Sequence, residues 1–186
     1  MPPSLDLQLV LAAQHLMMSS TWSIALTVFF ARWLIVVEVA LALVCLFSKR
    51  VELRHAVQES AWSAGIAVII TTILSHLVLR ARPYLASSSV ALLIPPPFNT
   101  SFPSGHTSAA FAMASALFIA DRRIGTVAFV LATLVAFGRV SAGVHYPSDI
   151  LGGMIVALIG IGIVRTVHYA LRRPSVSRSA AEHTHS

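Results

Sequence analysis

Long apolar runs dominate this chain, at residues 24–47, 61–79, 107–120, 124–139 and 150–169, and most of the charged residues fall between them. A hydrocarbon layer about 30 Å thick takes roughly 20 apolar residues to cross, and backbone inside it must satisfy its own hydrogen bonds. Each run is therefore predicted to be a spanning helix. With 56% hydrophobic and only 11% charged residues in 186, a soluble fold has no way to hide this much apolar surface. The expected fold is all-α: a polytopic membrane helix bundle of about five spanning helices over residues 1–171, with 172–186 as a short cytoplasmic tail.

Residues 1–18 differ from the runs. Leu5, Leu9, Ala12, Ala13 and Leu16 fall at helical spacing, while Gln8, Gln14 and His15 gather on another sector, which predicts an interfacial helix. Ser19-Ser20-Thr21 then interrupts it. The fourth run is short and is expected to extend past Arg139 toward Gly143, placing that arginine at depth within protein. No segment has the basic start, short apolar core and cleavage site of a signal peptide, so the first span is expected to be retained. The lone Cys45 excludes an intrachain disulfide and reads as a small apolar helix residue.

The net charge of +6 does not point to nucleic acid, because the basic residues flank the apolar runs. Lys49, Arg50 and Arg54 lie between runs one and two, Arg122 and Arg123 between runs three and four, and Arg172, Arg173 and Arg178 after run five. These segments are expected on the cytoplasmic side. The opposite side receives the N-terminal segment, the long loop 80–104 and the turn 142–148. Arg80, Arg82 and Arg139 are the exceptions, since all three belong to that opposite face. There they join Ser104, Gly105, His106, His145 and Asp149. Charges at a membrane boundary are costly unless paired or hydrated, so this gathering suggests a polyanionic ligand. Arg80 is equally placed to snorkel toward headgroups.

The stretch Phe102-Pro103-Ser104-Gly105-His106-Thr107-Ser108 opens directly into the third run. Pro103 favours a helix start, Gly105 allows close backbone approach, and the first peptide N–H groups of a helix attract anions. Ser104 can add a hydroxyl donor and His106 a transferable proton. The same residues also describe an ordinary capped helix with an incidental histidine. Downstream, His145 is the candidate nucleophile, whose neutral imidazole could attack phosphorus. Asp149, four residues on, could accept the other ring N–H and fix the tautomer. Arg82 and Arg139 would neutralise the transferring phosphoryl group. His106 would protonate the leaving oxygen and then deprotonate the attacking water.

Taken together, Arg82-Pro83, Pro103-Ser104-Gly105-His106, and Arg139 followed by His145 and Asp149 resemble the three-part signature of the type 2 phosphatidic acid phosphatase superfamily of integral membrane lipid phosphatases. The resemblance spans residues 61–169. It implies a helical membrane fold and metal-independent hydrolysis of phosphomonoesters or diphosphates through a histidine nucleophile. Two positions depart from the pattern: Ser75 stands where a lysine is usual, and Gly138 where the third motif usually has serine. Arg80 is a candidate replacement cation, and His76 another. The wording Arg-Ala-Arg-Pro-Tyr and Gly-Val-His-Tyr-Pro-Ser-Asp is most similar to bacterial undecaprenyl diphosphate phosphatases. That subgroup implies a multi-pass protein of the bacterial cytoplasmic membrane, acting on its outer face to recycle the carrier lipid. Phosphatidylglycerophosphate or phosphatidate are alternative substrates, and transfer to a lipid acceptor an alternative reaction.

Three other readings compete. A transporter or lipid flippase should line a path through the membrane with its charges, whereas here only Glu38 lies plainly at depth. A metal site of His106, His145 and Asp149 would have arginines repelling the cation. A catalytically dead membrane scaffold is the third. No cofactor, metal, nucleic acid or protein partner is expected; the partner is a polyprenyl diphosphate or phospholipid within the membrane. Glu38 reads as a buried carboxyl, neutral or paired, and Gly152, Gly153, Ala157 and Gly160 as small faces for close helix packing. Pro95-Pro96-Pro97 is expected to stiffen the outer loop. His55, His168, His183 and His185 fall away from the site.

Overall fold

The computed structural model describes residues 4–98 and 100–172, and the regular elements there are all helices. They are α1 (Leu5–Met17), α2 (Thr21–Arg32), α3 (Leu34–Leu46), α4 (Val51–Leu77), α5 (Pro83–Ala86), α6 (Gly105–Ala120), α7 (Arg122–Ser141) and α8 (Pro147–Arg172). Three of them, α4, α7 and α8, are each long and apolar enough to cross a membrane, and α2 with α3 is long and apolar enough only as a bent pair. The 16 residues of α6 rise only about 24 Å, yet this helix is the centre of the bundle. Residues 173–186 of the expected tail lie outside the described residues.

Small side chains make that centre possible. Ala110, Ala112, Ala114, Ala116 and Leu117 of α6 are fully buried, and α4, α7 and α8 pack around them. Helices in lipid gain little from hydrophobic exclusion, so close dispersion contact and polar pairing hold them together. Gly153 of α8 shows how close: a Cβ there would stand 2.9 Å from the Ser104 carbonyl oxygen. Gly160 is similar, with a Cβ 2.8 Å from the Ser63 carbonyl oxygen of α4. The predicted small face of α8 is thus in contact on two sides. Away from the site end, Arg50 pairs with Asp121 at 2.5 Å, and Asp121 caps α7 by accepting from the Arg123 and Ile124 N–H groups.

The first apolar run is not one straight span. It breaks at Trp33, where α2 and α3 meet at 51°. No proline or glycine lies at the break. Instead, Arg139 Nη1 donates to the Ala31 carbonyl oxygen at 3.2 Å, and Gly138 lets α7 press against that turn: a Cβ on it would lie 2.6 Å from the Ala31 nitrogen. A side chain entering the hydrogen-bond ladder is a recognised cause of a kink. Glu38, one turn into α3, is fully enclosed, and neither carboxyl oxygen has a hydrogen-bond partner.

Two boundaries also differ from expectation. The second span begins at Val51, well before residue 61, because Leu53, Ala56 and Val57 face the core while Glu52, Arg54 and Gln58 obscure the hydropathy signal. Helix α6 begins at Gly105 with Ser104 as its N-cap, so Pro103 precedes the cap and does not occupy the first turn. In α1, Gln14 is buried, contrary to its assignment to the polar sector. Its Nε2 donates to the carbonyl oxygens of Ala91 (2.6 Å) and Ser141 (3.1 Å), and its Oε1 accepts from the Ala91 N–H at 3.0 Å. Leu5, Leu9 and Leu16 remain exposed.

Candidate active site

Four helix ends meet where α4 and α7 finish and α6 and α8 begin. Arg82 follows α4 in extended backbone and is 2% exposed. Its Nη1 donates to the Val144 carbonyl oxygen at 2.7 Å and its Nη2 to that of Thr100 at 3.0 Å. The guanidinium is therefore aimed by two loops at once. Arg139 comes from the last turn of α7 and is 5% exposed. Its anchor is the Ala31 carbonyl at the kink described above, so the bent pair of α2 and α3 positions a site residue.

His145 lies on the connection between α7 and α8. Gly143 turns that connection at φ +77°, in the left-handed region glycine favours, and a Cβ there would meet the Ala91 carbonyl oxygen at 2.3 Å. The imidazole is buried, with Nδ1 2.8 Å from the Ser101 carbonyl oxygen. Its Nε2 stands 3.3 Å from Arg82 Nη1 and 3.5 Å from Arg139 Nη2. A carbonyl can only accept and a guanidinium can only donate, so the network assigns the proton to Nδ1 and the lone pair to Nε2. Burial, reinforced by the charges of Arg139 and Arg82 and opposed by Asp149, pushes the imidazole down to about 4. The ring is neutral at pH 7, with the Nε2 lone pair facing two cations.

Asp149 faces the same ring nitrogen as expected, but it shares that nitrogen with a closer acceptor. Its Oδ2 is 3.5 Å from Nδ1, whereas the Ser101 carbonyl takes that N–H at 2.8 Å. The carboxylate is fully buried and otherwise engaged. Oδ2 accepts from Ser101 Oγ at 2.5 Å and from the Tyr146 N–H at 2.8 Å, while Oδ1 accepts from Arg80 Nη1 at 2.7 Å. Asp149 thus bears on His145 directly at 3.5 Å and also through Ser101, whose hydroxyl it binds and whose carbonyl binds the ring.

The start of α6 completes the arrangement. Ser104 is fully buried, donates its N–H to the Asp149 carbonyl oxygen at 3.1 Å, and accepts from Thr107 Oγ1 at 3.0 Å, which leaves its own hydroxyl proton to give. The N–H groups of Gly105, His106 and Thr107 belong to the first turn, where no intrahelical acceptor exists. A Cβ on Gly105 would make only ordinary contact, 3.5 Å from Thr71 Cγ2, so packing does not demand glycine there. His106 is half-buried on this turn, within electrostatic reach of Arg139, His145 and Arg82.

Arg80 is held by two carboxylates. Its Nη2 pairs with Asp6 at 2.7 Å and its Nη1 with Asp149 at 2.7 Å, and the guanidinium lies 4.1 Å over the Tyr146 ring. Ser75 is buried, bonded within its helix to the Thr72 carbonyl oxygen at 2.8 Å. Beside it a cavity of about 390 Å³ opens onto Arg80 and Arg82, bordered by His76, Leu79, Leu85 and Phe98. Ser101 and Asp6 are the residues sequence reasoning missed. Ser101 sits just before the recognisable stretch, and Asp6 is far from it in the chain; neither carries a pattern. Among the described residues, no three His, Cys, Asp or Glu side chains converge in a metal-holding geometry.

The chain is similar to several known proteins. Undecaprenyl-diphosphatase BcrC of Bacillus subtilis (strain 168) is 37% identical over 117 residues, which are 61% of this chain and 60% of that protein. The match thus spans less than two thirds of that relative's length. Putative undecaprenyl-diphosphatase YbjG of Escherichia coli (strain K12) is 33% identical over 144 residues, covering 76% of this chain and 72% of that protein. Among solved structures, Aquifex aeolicus LpxE shares the fold at a TM-score of 0.73, with 24% identity over 88% of this chain and 96% of that one. A family profile described as the PAP2 superfamily matches residues 56–173, from within α4 to past the end of α8. With the profile covering more than half of its length and all three motif segments meeting at one end of the bundle, the chain belongs to the PAP2 superfamily.

Proposed function

We propose that the protein is a membrane lipid phosphatase that removes the terminal phosphate of undecaprenyl diphosphate through a phosphohistidine on His145. The observation that carries this reading is the orientation of that ring: Nδ1 tied to a carbonyl, Nε2 facing Arg82 and Arg139. Nε2 attacks the terminal phosphorus; the N–P bond forms as the P–O bond to the lipid phosphate breaks. Arg82, Arg139, the Ser104 hydroxyl and the first N–H groups of α6 take up the charge on the transferring oxygens. His106, protonated once the anionic diphosphate is bound beside it, gives that proton to the leaving oxygen, so undecaprenyl phosphate departs. The same imidazole then takes a proton from water, whose oxygen displaces Nε2 and releases inorganic phosphate. The cationic imidazolium between these steps is compensated by the nearby Asp149 carboxylate. Two arginines thus supply the neutralisation that a metal ion provides elsewhere, and no metal is required.

A lipid substrate fits the surroundings. The cavity beside Arg82 is edged by Leu79, Leu85 and Phe98, all highly exposed, which offer an apolar path from phosphate to bilayer. The basic segments at the opposite end support an active site on the outer face of the bacterial cytoplasmic membrane.

The test is phosphate release by detergent-purified protein with chelator present, comparing undecaprenyl diphosphate, phosphatidylglycerophosphate and phosphatidate for wild type and His145→Ala. Release from undecaprenyl diphosphate that disappears in the variant is expected. Preference for another lipid would replace the substrate and keep the chemistry, whereas equal release by both proteins would remove His145 as nucleophile.

A further inference from the structure

Helix α1 lies outside the segment that the family profile matches, yet it reaches the site at two points. At one, Gln14 bonds the Ser141 carbonyl and packs where Gly143 turns, so it holds the entry to the His145 connection. At the other, Asp6 holds the exit. Its Oδ1 accepts from the Ser148 N–H at 3.2 Å, its Oδ2 accepts from the Ser148 hydroxyl, and its Oδ2 pairs with Arg80 Nη2 at 2.7 Å. Ser148 is in the first turn of α8, where N–H groups lack intrahelical acceptors, and Asp6 supplies one from another helix.

We propose that Asp6 is a positioning residue for the phosphatase reaction, capping α8 from another helix and fixing Arg80 against Asp149. This rests on the function proposed above. The connection is physical at every step. Asp6 and Asp149 flank one guanidinium, which is further seated on the Tyr146 ring and bonded to Ser148 Oγ at 2.6 Å. Asp149 then holds the Ser101 hydroxyl, and the Ser101 carbonyl holds His145 Nδ1. Burial works against ionisation of Asp6, but the Ser148 hydroxyl and Arg80 outweigh it and keep the carboxyl below its ordinary range. Asp6 is therefore a carboxylate in the working enzyme, and Arg80 is shared between two anions, leaving substrate phosphate to Arg82 and Arg139.

Charge sharing makes a specific demand on double variants. Asp6→Asn keeps a cap acceptor and loses the charge, so kcat should fall about tenfold with KM within about twofold of wild type. Arg80→Gln leaves two carboxylates facing each other without their cation. Adding Asp6→Asn to Arg80→Gln should therefore recover activity, because it removes the uncompensated charge. Hydrogen exchange of the amides of His145, Tyr146, Ser148 and Asp149 should quicken in Asp6→Ala, and this readout holds whether or not undecaprenyl diphosphate is the substrate. Failure of the wild type to release phosphate strikes the proposed function, and unchanged exchange strikes the cap. Unchanged kcat in Asp6→Asn, or a double variant whose losses simply multiply, would overturn the positioning role.

Discussion

Replacing Ser101 by alanine removes a single hydroxyl from the centre of the site while leaving the backbone carbonyl that holds His145. The hydroxyl is buried and donates to Asp149 Oδ2 at 2.5 Å. Hydrogen bonds to buried charged groups contribute about 1.5–3 kcal/mol. Asp149 keeps the Tyr146 N–H, Arg80 and the His145 ring at 3.5 Å after the change, so part of that energy is retained. We expect about 1–2 kcal/mol to appear in the barrier, a fall in kcat of about 5- to 30-fold. KM should stay within about twofold, because no proposed phosphate contact is lost. Steady-state phosphate release at saturating undecaprenyl diphosphate measures both constants. A kcat within twofold of wild type would show that Asp149 does not act through Ser101, and a loss confined to KM would make Ser101 a substrate contact.

Other consequences follow from packing and charge. Gly138→Ala drives a Cβ into the Ala31 and Phe30 backbone at 2.6–2.7 Å and should destabilise the protein by about 1–3 kcal/mol in a detergent melt. Gly162→Ala, with nothing within 4 Å, should be neutral or raise stability by up to about 1 kcal/mol, and serves as the control. His145 should be observed by ¹⁵N NMR as the Nδ1–H tautomer at pH 7, with its protonation midpoint near 4. Because the unfolded chain takes up that proton first, its contribution to stability should shrink as pH falls from about 6.5 toward 4. A midpoint near 6.5 would contradict the buried, arginine-facing environment.

The parts of this architecture that were legible in the sequence are those written into contiguous residues. Apolar runs marked the spans, and the segments containing Arg82, Ser104 to His106 and His145 to Asp149 marked the site, because each carries its chemistry within a few positions. The kink at Trp33 was not legible, since it depends on a guanidinium arriving from Arg139, distant in sequence. The early start of α4 was masked by polar residues on its exposed face. Asp149 looked like the partner of His145 at a spacing of four, but the chain before α6 brings the Ser101 carbonyl closer. Asp6 gave no signal at all: one carboxylate in an amphipathic helix becomes meaningful only once α1 lies beside the start of α8.

The phosphohistidine is the claim on which the mechanism turns. Its most direct test is rapid acid-free quenching of the enzyme during turnover of undecaprenyl diphosphate labelled in its terminal phosphate, followed by peptide mass spectrometry under alkaline conditions. The account predicts an acid-labile, base-stable phosphoryl group on His145, which forms and breaks down more slowly in His106→Ala, where neither the leaving oxygen nor the water has its proton partner. Labelled phosphate released at full rate with no trace on His145 in either protein would mean that water attacks the lipid diphosphate directly, and the two-step mechanism would have to be abandoned.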